Sequence, residues 1–272
     1  MTGSVPILMY HAIAHAPPPS IRALSVSPDA FAAQMRLLDE GSFTPLTVGG
    51  LTAAWRGGQP LPVRPVLITF DDGYQGVHRH ALPVLRELGF PSTLFVATGW
   101  LPGQHQIAGA ALDTMLDWDE VRELAAAGAE IGGHSHSHPQ LDQLPLGALR
   151  YELETCWKII TEQLGVPPYS FAYPYGYSDH RVRQMVRTAG FTQAVVVHNA
   201  LAGPRQDPFS LSRMTVRRST GAEEFARLIE GRAVTRTFAR DRILTKGYTV
   251  VRRSRRLLWK TAWTCARHRP GT

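Results

Sequence analysis

Short apolar runs rich in β-branched and aromatic residues alternate along this chain with segments whose apolar positions recur every three or four residues. Seven of the short runs read as strands: Val5–Tyr10, Val66–Phe70, Thr93–Ala97, Ala129–Gly133, Ser170–Tyr173, Gln193–Val197 and Phe209–Val216. Helical patterns lie between them. Phe31, Met35 and Leu38 follow Pro28-Asp29, Leu82, Leu85 and Leu88 run up to Gly89, and Val121, Leu124 and Ala125 run up to Gly128. Leu149, Leu153, Trp157, Ile160 and Leu164 end at Gly165, and Val182, Met185 and Val186 end at Gly190. Glycine just past the last apolar position supplies the left-handed residue that stops a helix. Strands alternating with helices predict an α/β fold with a parallel sheet and crossover connections. Seven strands with no composition break before residue 231 favour a closed or nearly closed barrel, with a doubly wound open sheet as the alternative. The Gly- and Ala-rich stretch 98–117 reads as a loop over one end of the sheet.

The 272 residues, 44% hydrophobic, can bury a sizeable core. No run of eighteen apolar residues occurs, so no transmembrane helix is expected. Met1–His11 lacks the basic start and long apolar stretch of a secretory signal. Two distant cysteines, Cys156 and Cys265, suggest no disulfide framework. Together these features predict a cytoplasmic location.

Charge alters this picture at one place. Residues 1–231 hold 17 Lys and Arg against 21 Asp and Glu, a net −4; residues 232–272 hold 12 against Asp241 alone, a net +11. The basic balance belongs to the tail, so the chain divides into a domain over 1–231 and a basic, helical tail over 232–272. A helix through Arg252-Arg253-Ser254-Arg255-Arg256-Leu257-Leu258-Trp259-Lys260 would gather Val251, Leu258, Ala262 and Cys265 among basic groups. Residues 248–272 are therefore a candidate for peripheral contact with an anionic membrane, where lipid-linked glycans reside. The acidic balance of the first 231 residues argues against nucleic acid as a partner.

The polar residues that stand out follow strands. Asp71 and Asp72 follow Val66–Phe70, His134 and His138 follow Ala129–Gly133, and Tyr175-Gly176 follows the strand entering Pro174. His11 follows Val5–Tyr10, and His198 follows Gln193–Val197. In parallel barrels that rim is where active sites are built. Adjacent aspartates point apart on a regular strand, but a turn at Gly73 lets both face one pocket, one binding a metal and the other accepting a proton. His134-Ser135-His136-Ser137-His138 offers two geometries: a helical turn pairs His134 with His138, whereas an extended strand also aligns His136. Two histidines and one carboxylate would leave coordination positions for water and substrate. His15, His78, His80, His105 and His180 read as surface or loop residues.

Thr69-Phe70-Asp71-Asp72-Gly73, His134-Ser135-x-x-His138-Pro139 and Phe171-Ala172-Tyr173-Pro174-Tyr175-Gly176 resemble the successive motifs of the polysaccharide deacetylase family, the NodB-homology domain or carbohydrate esterase family 4. The likeness covers about residues 5–230. It implies a distorted (β/α)7 barrel, one divalent metal ion (commonly zinc), and hydrolysis of N-acetyl groups on the amino sugars of a glycan, with acetate released. By position, Asp71 resembles the general base, and Asp72, His134 and His138 the metal ligands. Ser135 resembles a supporting hydroxyl, and the Tyr175 backbone N–H an oxyanion donor.

Two positions depart from the family pattern. The third motif usually carries an arginine that pairs with the catalytic aspartate; Ala172 stands there, and Arg213 in the last strand is the candidate replacement. The usual C-terminal Leu-x-His of the general acid is also missing. Met9-Tyr10-His11 is similar to the N-terminal Tyr-His of poly-N-acetylglucosamine deacetylases, which places His11 ahead of His198 as the acid. Alternatives on the same barrel are hydrolysis of other amides or acetyl esters, and a catalytically silent glycan-binding module.

Overall fold

A computed structural model describes residues 3–103 and 108–241. Nine strands form one parallel sheet: β1 (Ile7–Tyr10), β2 (Thr44–Leu46), β3 (Pro65–Phe70), β4 (Ser92–Val96), β5 (Ala129–Gly133), β6 (Ser170–Ala172), β7 (Gln193–Val196), β8 (Leu211–Ser212) and β9 (Met214–Thr215). The helices of seven or more residues are α1 (Pro28–Glu40), α2 (Val48–Gly57), α3 (Leu82–Leu88), α4 (Trp118–Ala126), α5 (Leu146–Leu164), α6 (His180–Thr188) and α7 (Ala222–Ile229). Gly89, Gly128, Gly165 and Gly190, the four stops read from the sequence, all have positive φ.

The strand order is β8-β7-β6-β5-β4-β3-β1-β9. Its two ends are the same stretch of chain. β8 pairs with β7 through Val195↔Leu211 and Val196↔Ser212, while β9 pairs with β1 through Leu8↔Met214 and Met9↔Thr215. One short segment, broken only at Arg213, thus bridges the two edges and closes a barrel of seven strand positions. Asn199 braces this seam: its Oδ1 accepts from the Thr215 N–H at 3.0 Å and from Thr215 Oγ1 at 3.1 Å. The architecture is a distorted (β/α)7 barrel of the expected class.

Side-chain alternation builds two cores. Ala172 and Val195 join Ile7, Leu67, Phe95 and Leu211 in an inner cluster, whereas Phe171, Tyr173, Ala194 and Val196 meet Leu149 and Leu153 of α5 and Val182 and Val186 of α6 in an outer one. Tyr10 packs on Phe31 and donates its hydroxyl to Gln34 Oε1 at 2.8 Å, fixing α1 against β1.

Three elements escape the sequence pattern: β2, α2 and α7. β2 is three residues around Pro45 and pairs with the first half of β3, Thr44 opposite Pro65. α2 joins the inner cluster through Val48 and Leu51. Its first turn is docked by Thr93 Oγ1, which accepts from the Val48 N–H at 3.0 Å, and by Glu130 Oε2, which accepts from the Gly49 N–H at 2.7 Å. These contacts lie at the ends of β4 and β5 opposite the rim that carries the polar residues.

The chain forms two compact units, Met1–Val234 and Thr235–Thr272. The membrane-contact expectation for residues 248–272, like His105 and Cys265, lies outside the described residues. Among the described residues no helix is long and apolar enough to cross a membrane.

Gly132 of β5 tests the tightness of the barrel wall, because a Cβ there would lie 2.7 Å from both the Phe95 ring and the Ser170 carbonyl oxygen. Gly132→Ala is expected to destabilise the fold by about 1–3 kcal/mol, read from urea unfolding.

Candidate metal and hydrolytic site

The rim at the C-terminal ends of β1, β3, β5 and β6 carries the site. β3 ends at Phe70, and Asp72 takes a left-handed conformation, φ 76°, followed by Gly73 at φ 97°. That reversal breaks the strand alternation and brings both aspartates into one pocket. After β5, Ser135 (φ 65°) and His138 (φ 59°) are left-handed as well, so the histidine loop is neither a helical turn nor an extended strand. Ser135 Oγ accepts from the His138 N–H at 3.0 Å and closes the loop on itself. After β6, Tyr175 is left-handed too, with φ 60°. Eight described non-glycine residues have positive φ, and four of them are these. At about 1–3 kcal/mol each, such conformations persist only where surrounding contacts impose them.

The reversals gather three ligand atoms. Asp72 Oδ1 lies 3.3 Å from Nε2 of both His134 and His138, and the two Nε2 atoms are 3.2 Å apart. His134 Nδ1 is 2.7 Å from the Ala172 carbonyl, which can only accept, so Nδ1 carries the proton and Nε2 presents a lone pair. The buried Asp72 Oδ1 accepts no hydrogen bond. Three electron-rich atoms this close repel unless a cation lies among them. Tetrahedral ligands at ~2.0–2.1 Å from a zinc-sized ion are separated by ~3.3 Å, so the donor set fits a divalent metal. His136 is not part of the set; its Nδ1 is 3.0 Å from Thr98 Oγ1.

Asp71 stands beside the set, its Oδ2 3.9 Å from His134 Nε2. Both its oxygens are held by Arg213, Nη1 to Oδ1 at 2.6 Å and Nη2 to Oδ2 at 2.7 Å, and Nη1 also reaches Thr69 Oγ1 at 3.2 Å. Arg213 is fully buried at the seam between β8 and β9. Ala172 belongs to the inner cluster together with Phe95, whose ring lies 5.5 Å from the Arg213 guanidinium. Burial alone would push the Asp71 carboxyl up, but the Arg213 charge and hydrogen bonds, together with the nearby His134 and His11, outweigh it and hold Asp71 below the usual carboxylate range.

His11 is partly exposed, and its Nδ1 makes no hydrogen bond. Burial lowers its pKa, and the Asp72 and Asp71 charges oppose that shift. His198 Nδ1 is 3.3 Å from Ser212 Oγ near the seam. Burial, with His134 close by, lowers His138 to about 4. The His138 ring is flanked by Trp100 at 4.7 Å and by the exposed Tyr175 at 4.8 Å.

One residue here carries weight that motif reading passes over. Glu152 of α5 is buried, and its Oε2 accepts from the N–H groups of His136 at 2.9 Å and Ser137 at 2.7 Å. Ser137 Oγ donates to the other oxygen. The signal was present in the sequence: Glu152 shares the apolar face of α5 with Leu149, Leu153 and Cys156, where a charge needs partners.

Residues 58–194, half of the chain, match the family described as polysaccharide deacetylase. The chain belongs to that family. Among its relatives, the poly-beta-1,6-N-acetyl-D-glucosamine N-deacetylase of Escherichia coli (strain K12) is 25% identical over 244 residues, covering 76% of this chain and 36% of the relative. The enzyme of that name from Staphylococcus aureus (strain MSSA476) is 23% identical over 205 residues, covering 72% and 69%. This polysaccharide deacetylase family member thus spans about a third of the Escherichia coli relative. Its fold is similar to that of Streptococcus pyogenes deacetylase PplD in complex with acetate, with a TM-score of 0.75, 22% identity, and 84% and 99% of the two chains covered. It is also similar to that of IcaB from Ammonifex degensii, with a TM-score of 0.68, 23% identity, and coverage of 84% and 96%.

Substitutions at two positions test these supports. Arg213→Leu strands the buried Asp71 carboxylate and is expected to cost about 3–5 kcal/mol of stability in urea unfolding. Glu152→Ala leaves two backbone N–H groups of the histidine loop unpaired and is expected to cost about 1–3 kcal/mol for each buried one; Glu152→Gln, which keeps an acceptor oxygen, recovers part of that loss in the same measurement.

Proposed function

We propose that this protein is a metal-dependent carbohydrate N-deacetylase that removes acetyl groups from the N-acetylated amino sugars of an oligo- or polysaccharide. The observation that carries the reading is the Asp72–His134–His138 triangle beside an aspartate held ionised by a buried arginine. Family membership and relatives named for poly-beta-1,6-N-acetyl-D-glucosamine support N-acetylglucosamine as the sugar.

Asp72, His134 and His138 would hold one divalent ion, a set that suits zinc. When bound, the ion supplies Lewis-acid polarisation of the acetamide carbonyl and of the attacking water. The remaining work falls to this chain's side chains and backbone. Asp71 accepts a proton from water: Arg213 keeps the carboxylate charged, and each oxygen retains a lone pair beyond the one Arg213 uses. The oxygen so freed attacks the acetamide carbon, and the Tyr175 N–H donates to the oxyanion. As the C–N bond breaks, His11 gives a proton to the leaving nitrogen, and acetate and a free amine result. A lowered pKa makes the His11 imidazolium the stronger acid for that transfer. His11 is preferred to His198 because it acts directly on Asp71 and Asp72, whereas His198 is engaged near the seam with Ser212. Trp100 and Tyr175, on either side of His138, flank the position of the acetyl group.

Metal content by mass spectrometry and acetate release from N-acetylglucosamine oligomers test the assignment together. Asp71→Asn is expected to retain the metal and lose about 10²–10⁴-fold in kcat, whereas His134→Ala loses the metal. Undiminished turnover in Asp71→Asn contradicts its role as the base.

A further inference from the structure

The three donor atoms of the Asp72–His134–His138 set are not equally braced. The Ala172 carbonyl orients His134, and Ser135 Oγ holds the loop that carries His138. Asp72 Oδ1 is buried and accepts no hydrogen bond. Groups that ligate a metal ordinarily take part in a hydrogen bond with a residue outside the set, which fixes their direction. Two residues beyond Asp72 stands Tyr74, 1% exposed, whose hydroxyl likewise has no formed hydrogen bond.

The backbone leaves that phenol little freedom. Tyr74 pairs with Met115 in an isolated antiparallel bridge. Beside it the Gln75 N–H donates to the Thr114 carbonyl at 3.0 Å and the Leu116 N–H to the Gly73 carbonyl at 2.9 Å. Gly76 then presses against the loop leaving β1 so closely that a Cβ would lie 2.1 Å from the Ile13 carbonyl oxygen. Burial pushes the phenol above its ordinary pKa, and Asp72 adds to that push by its charge and by a contact too long or too bent to be a formed hydrogen bond. Asp113 and Tyr175 act on the phenol more weakly. Asp113 is only half-buried and already accepts from the Thr114 N–H at 2.7 Å. Because the hydroxyl oxygen is itself closed to solvent, its partner lies within the protein and not among molecules that enter the rim.

The adjacent aspartates therefore meet different chemistry. Asp71 is gripped by a guanidinium, whose charge offsets its own. A neutral phenol can hold the Asp72 carboxylate without cancelling the charge that attracts a divalent cation. Each carboxylate oxygen has lone pairs enough for the group to accept from the phenol while Oδ1 faces the ion. We propose that Tyr74 is a positioning residue for Asp72: its hydroxyl donates to the carboxylate, holds Oδ1 toward the ion shared with His134 and His138, and so raises the affinity of the set for a divalent metal. The proposal rests on the metal reading of the site and on nothing about the sugar.

The test uses the full chain and reads zinc affinity by competition with a chelator, the visible absorption of the cobalt-substituted protein, and urea unfolding of the zinc-free chain. Tyr74→Phe is expected to weaken zinc binding by about 10- to 100-fold and to shift the cobalt bands. Its urea midpoint does not fall, because phenylalanine fills the same space and removes an unpaired buried hydroxyl. In an Asp72→Ala background, which has already lost the ligand, Tyr74→Phe adds little further loss. Wild-type zinc affinity in Tyr74→Phe overturns the proposal, as does an equal loss in the Asp72→Ala background. A weaker affinity that comes with a lower urea midpoint also overturns it, since packing alone then accounts for Tyr74. In each of these cases the wild type still binds zinc and the metal reading stands; a wild type that binds no zinc overturns both.

Discussion

The ion pair between Asp71 and Arg213 ties the chemistry of this protein to the closure of its barrel. The two residues lie 142 positions apart, both are buried, and two short hydrogen bonds join them. Desolvating a carboxylate and a guanidinium costs several kcal/mol each, and only a bidentate geometry with further hydrogen bonds offsets it. That geometry exists only if β8 is registered on β7 and β9 on β1, because Arg213 is the residue between them. A cation at the break of the seam reaches inward, and the aspartate at the end of β3 meets it.

The Asp72–His134–His138 cluster depends on a second kind of constraint. Left-handed turns at Asp72, Ser135 and His138 converge three donor atoms that the regular backbone would hold apart. The strain is held in place by hydrogen bonds from outside the motifs: the Ala172 carbonyl orients His134, Ser135 Oγ closes the loop, and Glu152 grips the two N–H groups at its middle. Ala172 thus contributes through its backbone at a position where the family more often presents a charged side chain.

Much of this was legible in the sequence because it follows from local pattern. The barrel strands announce themselves by β-branched runs, and polar residues crowd where those runs end. β2 and α2 were not legible, since Pro45 and Gly49-Gly50 contradict the propensities of the elements they occupy and the packing of α2 against the inner cluster overrides them. The φ angles of Asp72, Ser135 and His138 had no sequence signal, for none of these is glycine. The contact of Arg213 with Asp71 could be framed as a question but not answered, because it needs the register of a closed sheet. Glu152 was readable as an acid on an apolar helix face and went unread because it lies in no motif.

Gly76 packs the loop leaving β1 against the one leaving β3, with no room for a side chain between them. Those two loops carry His11 and the paired aspartates. In the proposed reaction, the spacing of the segments that carry His11 and Asp71 is therefore held by backbone contact. A side chain at position 76 would force the two loops apart, so the closeness of these two rim segments depends on a residue that itself takes no part in the proposed chemistry.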